Sequence, residues 1–213
     1  MAISKLTLIG GSAGLVSATA GGVAIYLNSG ESIRDYIANK NDSNTKFISL
    51  VKDAQKALES RYEKGKDHKP KNGNVEVKKD QIVAWCEKSA STKFSSETDP
   101  TYLSLKTWCF VDITSLSEKA NKNKVENRVY VSDKDGNDEA WKNAWSTYNG
   151  GKSANTLRIT DSDLTNLNTD NKEKGALDLH KWCSRTGDSK MYQEDSETTY
   201  QKYLKWCFKD SAG

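Results

Sequence analysis

"WCEKSASTKFSSETDPTYLSLKTWCFVD", residues 85–112, and "WCSRTGDSKMYQEDSETTYQKYLKWCFKD", residues 182–210, decide how this chain is read. Every cysteine of the protein stands in one dipeptide, as Trp85-Cys86, Trp108-Cys109, Trp182-Cys183 and Trp206-Cys207. With one residue inserted, Lys93 meets Lys190, Thr101-Tyr102 meets Thr199-Tyr200, Phe110 meets Phe208, and Asp112 meets Asp210. Chance is a poor explanation for that agreement, and an internal duplication is the natural one. A weaker echo lies upstream, where Tyr62-Glu-Lys-Gly65-Lys66 resembles Tyr148-Asn-Gly-Gly151-Lys152. The expected organisation is a first Trp-Cys repeat over 46–124, a connector over 125–137 and a second repeat over 138–213.

The periodicity of both repeats is chiefly helical. Phe47, Leu50, Val51, Ala54, Leu58 and Tyr62 recur at three-to-four spacing and predict an amphipathic helix over 46–63. Ile82, Trp85, Cys86 and Ser89 predict another. Asp99-Pro100 is an N-cap followed by proline at the first helical position, opening a helix over 100–111. Ser115-x-x-Glu118 reads as a capping box that starts a short helix running to about Asn123. Trp141, Ala144, Trp145 and Tyr148 stripe one helix of the second repeat, Leu177, Trp182 and Cys183 the next, and Tyr200, Tyr203, Leu204, Trp206 and Cys207 the last. Only Arg128 to Ser132, "RVYVS", alternates as a strand or an extended connector would.

The cysteines admit structural and chemical readings. Four-thiolate zinc sites carry close Cys-x₂₋₄-Cys pairs, and thioredoxin-like centres carry Cys-x-x-Cys; neither occurs here. An even number of cysteines in an exported chain favours disulfides, and the repeat unit pairs Cys86 with Cys109 and Cys183 with Cys207. If the helix bearing Cys86 runs to about Phe94, the heights of its two cysteines match across an antiparallel hairpin. Gly187 disturbs that match in the second repeat, and buried free thiols are the alternative. His180, three residues before Cys183, hints at a thiol–imidazole dyad, but no third orienting group is in view. Asp133-Lys-Asp-Gly136-Asn-Asp138-Glu139 hints at calcium, yet EF-hand register puts Val131 first and Lys142 last, where acids are required. A turn leading into the Trp141 helix, with Asp138 as N-cap, accounts for it. His68 lies in the lysine-rich loop 64–79, a solvated loop or one that attracts anionic headgroups or glycans. The tryptophans read as core, because aromatics at helical spacing usually are. No catalytic, cofactor-binding or metal-ligating residue is singled out, and no cofactor is expected.

The amino terminus supplies an address. "LTLIGGSAGLVSATAGGVAIYL", residues 6–27, carries no charge. A dinucleotide fingerprint fails there, since its first glycine would have to be Ile9, and no Gly-Lys-Ser/Thr completes a P-loop. As a helix the segment spans roughly 33 Å, enough to cross a hydrocarbon core. Lys5 and the free amino group precede it, which sets the N-terminus in the cytoplasm and everything after it outside. Ala18-Thr-Ala20 resembles a signal-peptidase site, so a secreted protein cleaved near Ala20 is the competing outcome. Gly10, Gly14, Ala18 and Gly22 recur every fourth residue, either as a stripe for helix–helix association in the membrane or as simple dilution of hydrophobicity. Residues 28–45, rich in Asn, Ser and Asp, read as a polar tether. Beyond the anchor the chain is polar: even with that apolar segment included, the protein has 29% charged residues and a mean hydropathy of −0.79. A net charge of only +3 gives no basic footprint for nucleic acid.

The short N-terminus, the "GGSAGLVSATAGG" anchor and the repeated Trp-Cys helices together resemble the large paralogous families of uncharacterised, membrane-anchored proteins in haemotropic mycoplasmas. That resemblance implies a wall-less parasite whose anchored protein faces its host, with a host-surface protein or glycan as partner and a role in antigen display or host contact. It carries no catalytic residues with it. The expected fold is mainly α, an N-terminal transmembrane helix followed by two tandem disulfide-stapled helical repeats. The expected function is that of a single-pass extracytoplasmic surface protein without catalysis. The competing classes are a membrane-tethered enzyme with a thiol nucleophile and an intracellular metal protein.

Overall fold

A computed structural model describes residues 30–122, 128–151 and 157–210. The anchor segment 6–27 and its stripe Gly10, Gly14, Ala18 and Gly22 lie outside the described residues. Among the described residues, no helix is long and apolar enough to cross a membrane.

The fold is mainly helical and is crossed by two disulfides. The first half comprises α1 (Ile33–Lys40), β1 (Thr45–Phe47), α2 (Ala54–Lys64), a small hairpin of β2 (Lys71–Asn72) and β3 (Val75–Glu76), α3 (Ile82–Ser89), α4 (Pro100–Trp108) and β4 (Phe110–Asp112). The second comprises α5 (Leu116–Lys122), β5 (Arg128–Tyr130), α6 (Glu139–Gly151), α7 (Lys172–Asp188), α8 (Ser196–Trp206) and β6 (Phe208–Asp210). Each half has its own apolar core, the first centred on Ile33, Leu58, Ile82 and Leu105, the second on Leu116, Trp141, Leu167 and Leu179.

Local chemistry sets the helix starts. The Asp99 carboxylate accepts from the N–H groups of Thr101 and Tyr102, with Pro100 inside the first turn, as the sequence predicts. The Ser115 box closes reciprocally, Glu118 N–H donating to the Ser115 hydroxyl while Ser115 N–H donates to the Glu118 carboxylate. Ser32 caps α1 through Asp35 N–H in the same way.

Three expectations change. The predicted 46–63 helix begins only at Ala54, because Phe47 is drawn into an antiparallel pair with Phe110, their rings edge-on at 5.4 Å. Residues 33–40, read as part of a polar tether, are instead α1, whose Ile33 and Ile37 are buried in the first core. Residues 115–122 and 128–131, read as the end of the first repeat and a connector, instead supply Leu116, Ala120 and Val131 to the second core. The hydrophobic positions in these stretches are sparse, so composition alone reads them as solvated. The "RVYVS" alternation does correspond to a strand, β5, paired with β6.

Main-chain contacts recur between the halves in the same order. Ser32 bridges Lys93, and Ser115 bridges Lys190. Ile33 N–H donates to Thr92 O, and Leu116 N–H to Ser189 O. Thr45 to Phe47 pairs with Asp112 to Phe110, and Arg128 to Tyr130 with Asp210 to Phe208. Ile48 N–H donates to Cys109 O, and Val131 N–H to Cys207 O. The two halves meet where the α7–α8 loop lies along α2: Tyr192 packs on the first core, and Lys64 pairs with Glu194.

Candidate functional site

In each half the disulfide ties the third helix to the end of the last one. Cys86–Cys109 joins α3 to the end of α4, and Cys183–Cys207 joins α7 to the end of α8, with Cα separations of 5.4 and 5.6 Å. All four cysteines are consumed, so the thiol-nucleophile reading loses its nucleophile. α3 stops at Ser89 rather than near Phe94, and α7 runs through Gly187 to Asp188. Gly187 makes room there for α8, since a Cβ would lie 2.9 Å from the Tyr203 hydroxyl oxygen and push that side chain aside.

The residue before the second cysteine of each pair reaches across to a loop root. Trp108 Nε1 donates to the main-chain carbonyls of Asp67 and His68 at 3.0 and 3.1 Å. Trp206 Nε1 donates to Leu157 O at 2.8 Å. Each indole meets a tyrosine edge-on, Tyr62 at 4.9 Å and Tyr148 at 5.1 Å. Those tyrosines hold the far side of the same loops. Tyr62 donates to Val77 O at 2.7 Å; Tyr148 donates to the Asn168 side-chain oxygen at 2.7 Å and accepts from Ile159 N–H at 3.3 Å. Burial pushes the Tyr62 phenol up to about 12, with Glu76 adding to the shift, and burial raises Tyr148 as well. Both phenols therefore remain donors at neutral pH.

The echo of Tyr-x-x-Gly in the sequence now has a cause. Gly65 lies under the Trp108 ring, where a Cβ would come within 2.4 Å of Cη2; at Gly151 the matching distance to Trp206 is 3.5 Å. Sequence reasoning found these residues but not what they grip, because the partners are backbone carbonyls and leave no side-chain signature.

The gripped loops differ in chemistry. In the first half the turn at Gly73, with φ +62°, closes a hairpin exposed along its whole length from Lys71 to Glu76, and Val75 at its tip is 70% exposed. Lys66, Lys71 and Lys78 are exposed around it, while Lys69 pairs with Glu76 at 3.0 Å and Lys79 with Glu63 at 2.9 Å. In the second half the segment 157–171 carries Asp161, Asp163 and Asp170 against Arg158, and buries Ile159, Leu164 and Leu167 beneath itself. Trp145 Nε1 fixes it by donating to Leu167 O at 3.0 Å.

Other sequence candidates have structural explanations. The ring of His180 packs edge-on against Trp141 at 5.0 Å, and its neighbour Cys183 is disulfide-bonded. The 133–139 stretch is a turn in which Asn137 N–H donates to Asp135, and Gly136 is there because a Cβ would lie 2.8 Å from the Leu177 Cα of α7. The tryptophans are buried, as expected of core residues, with Trp108 3% and Trp206 4% exposed. No protein-family model, curated protein or solved structure matches this chain.

Proposed function

We propose that this chain is a non-catalytic surface module: a tandem duplication of one disulfide-stapled helical unit, held to the outer face of a membrane by residues 6–27, that presents two variable loops to the surroundings. One observation carries the reading. Trp108, Trp206 and Tyr62 hold the loops through main-chain carbonyls, so the exposed loop side chains, those from Lys71 to Glu76 above all, are free to change without loss of the grip. A scaffold indifferent to the sequence it presents suits display, adhesion or antigen variation of the kind the resemblance to haemoplasma paralogues implies. Catalysis would instead need a polar constellation converging on one cleft.

The decisive experiment is protease shaving of intact cells combined with loop exchange. Cleavage in the 66–80 loop from outside, and a change in antibody or host-cell binding when 66–76 is replaced by a neutral hairpin, are expected. Protection of that loop in intact cells, with cleavage only after lysis, would reverse the orientation and end the surface reading.

A further inference from the structure

The second half contains a pocket that its counterpart in the first half fills with protein. Matching the main-chain contacts residue by residue sets Arg34 against Ser117, Phe47 against Tyr130, Leu105 against Tyr203, and Ala90 against Gly187. In the first half the Arg34 guanidinium covers the Phe47 ring at 4.7 Å and Leu105 is fully buried. In the second, the short Ser117 leaves that space empty and Gly187 admits the Tyr203 hydroxyl beside it. The result is a cavity of about 500 Å³ lined by Ser117, Asn121, Arg128, Tyr130, Asp133 and Tyr203, with the Phe208 ring as one wall.

The polar groups in it are arranged for a ligand. Tyr203 is 97% buried by its 3% exposure, yet its hydroxyl donates to no group among the described residues. That hydroxyl borders the cavity, so a ligand group that accepts from it there takes the place of water. Burial raises its pKa, followed by the nearby Tyr130 and Asp188, so it stays a donor. Arg128 donates through Nη1 to Leu204 O at 2.9 Å, while its buried Nε lies 3.5 Å from the Asp210 carboxylate and makes no hydrogen bond among the described residues. Its charge is therefore offset, and Asp133 on the rim repels an anion. Donors from Tyr203, Ser117 and Asn121, an acceptor at Asp133 and aromatic walls from Tyr130 and Phe208 complement a neutral ring bearing several hydroxyls. The volume lies within the range of small-ligand sites.

We infer that this pocket binds a neutral saccharide unit, with the Tyr203 hydroxyl as the buried hydrogen-bond donor and Ser117 as the residue whose small size keeps the site open. The inference stands apart from the display reading, since a saccharide pocket is equally useful to a secreted protein.

The test is saturation-transfer NMR on the full chain in bicelles, with the methyl glycosides of glucose, galactose, mannose and N-acetylglucosamine as probes and benzoate as the anionic control. At least one glycoside should receive saturation from aromatic protons. Ser117→Arg, which recreates the filled arrangement of the first half, should abolish that transfer. Tyr203→Phe keeps the ring and should weaken binding about five- to tenfold. Intact disulfides and an unchanged melting temperature certify the Tyr203→Phe protein should Ser117→Arg fail to fold. Absence of transfer to every glycoside, transfer to benzoate alone, or glycoside binding unchanged in Tyr203→Phe would each overturn the inference.

Discussion

The two halves share most of the contacts by which side chains grip the backbone and differ in how several side chains meet each other. Trp108 and Trp206 both donate to loop carbonyls, Ser32 and Ser115 both cap their helices, and both β ribbons keep one register. Beside them, the Tyr36 ring stacks on Phe94 at 3.6 Å in the first half, with Tyr102 edge-on to both. The matching residues of the second half are Lys119, Met191 and Tyr200, and there the Lys119 ammonium sits over the Tyr200 ring at 4.7 Å. A stacked aromatic trio and a cation over a ring fill the same corner. The comparison teaches that this fold is specified by a small set of backbone-directed groups and tolerates wide exchange among the rest.

The largest effect should come from removing a grip. Trp108→Ala or Trp206→Ala empties a core site and orphans the carbonyls the indole held, and each should cost about 3–5 kcal/mol in urea unfolding. Amide exchange should also rise across 66–78 in the first variant and across 157–168 in the second. A cost below 1 kcal/mol for either would break the equivalence of the halves. Next are the staples. Their sequence separations are 23 and 24, so replacing either pair by serines should cost about the same, about 3 kcal/mol in the chain-entropy model. Melting temperatures that fall for one pair and not the other would show that only one half depends on its cross-link.

Two glycines sharpen the comparison further. Gly65→Ala drives a methyl into the Trp108 ring and should cost about 1–3 kcal/mol. Gly151→Ala meets Trp206 at an ordinary contact distance and ends α6, so it should be neutral or stabilise by up to about 1 kcal/mol. Equal destabilisation by both would mean that the second indole sits as tightly as the first.

Much of the scaffold was legible because its signals are local. The Trp-Cys spacing anticipated both cross-links, and Asp99-Pro100 and Ser115-x-x-Glu118 marked their helix starts. α1 was missed because only Ile33 and Ile37 of its eight residues are fully buried, and two such residues make no stripe. The Phe47 strand was read as helix because its apolar spacing continues into α2; the cross-strand Phe110 that overrides it lies 63 residues away. The pocket beside Tyr203 was illegible for a different reason. It exists through what Ser117 and Gly187 lack, and an absence shows in one half only when the other is laid beside it in space.

The smallest difference lies at the start of the last helix. α4 is capped by Asp99 in extended backbone, whereas α8 begins after Asp195, which sits at φ 54°, ψ 21° and makes no side-chain cap. The Ser95 hydroxyl, helped by the N–H groups of Tyr102 and Thr101, holds the Asp99 carboxyl below its usual range. A depressed pKa stabilises the fold above the unfolded value near ~3.9, and that contribution is lost as the pH falls through the folded value beneath it. Asp99→Ala should therefore cost about 1 kcal/mol at pH 7 and much less at pH 2. Asp195→Gly relieves a left-handed residue while giving up only an exposed contact with Lys64 at 3.7 Å, and should gain up to about 1 kcal/mol with little pH dependence. Melting curves of both variants at the two pH values provide the check. A pH-independent loss at Asp99 would assign its role to packing, and destabilisation by Asp195→Gly would mean that its carboxylate holds the seam between the halves.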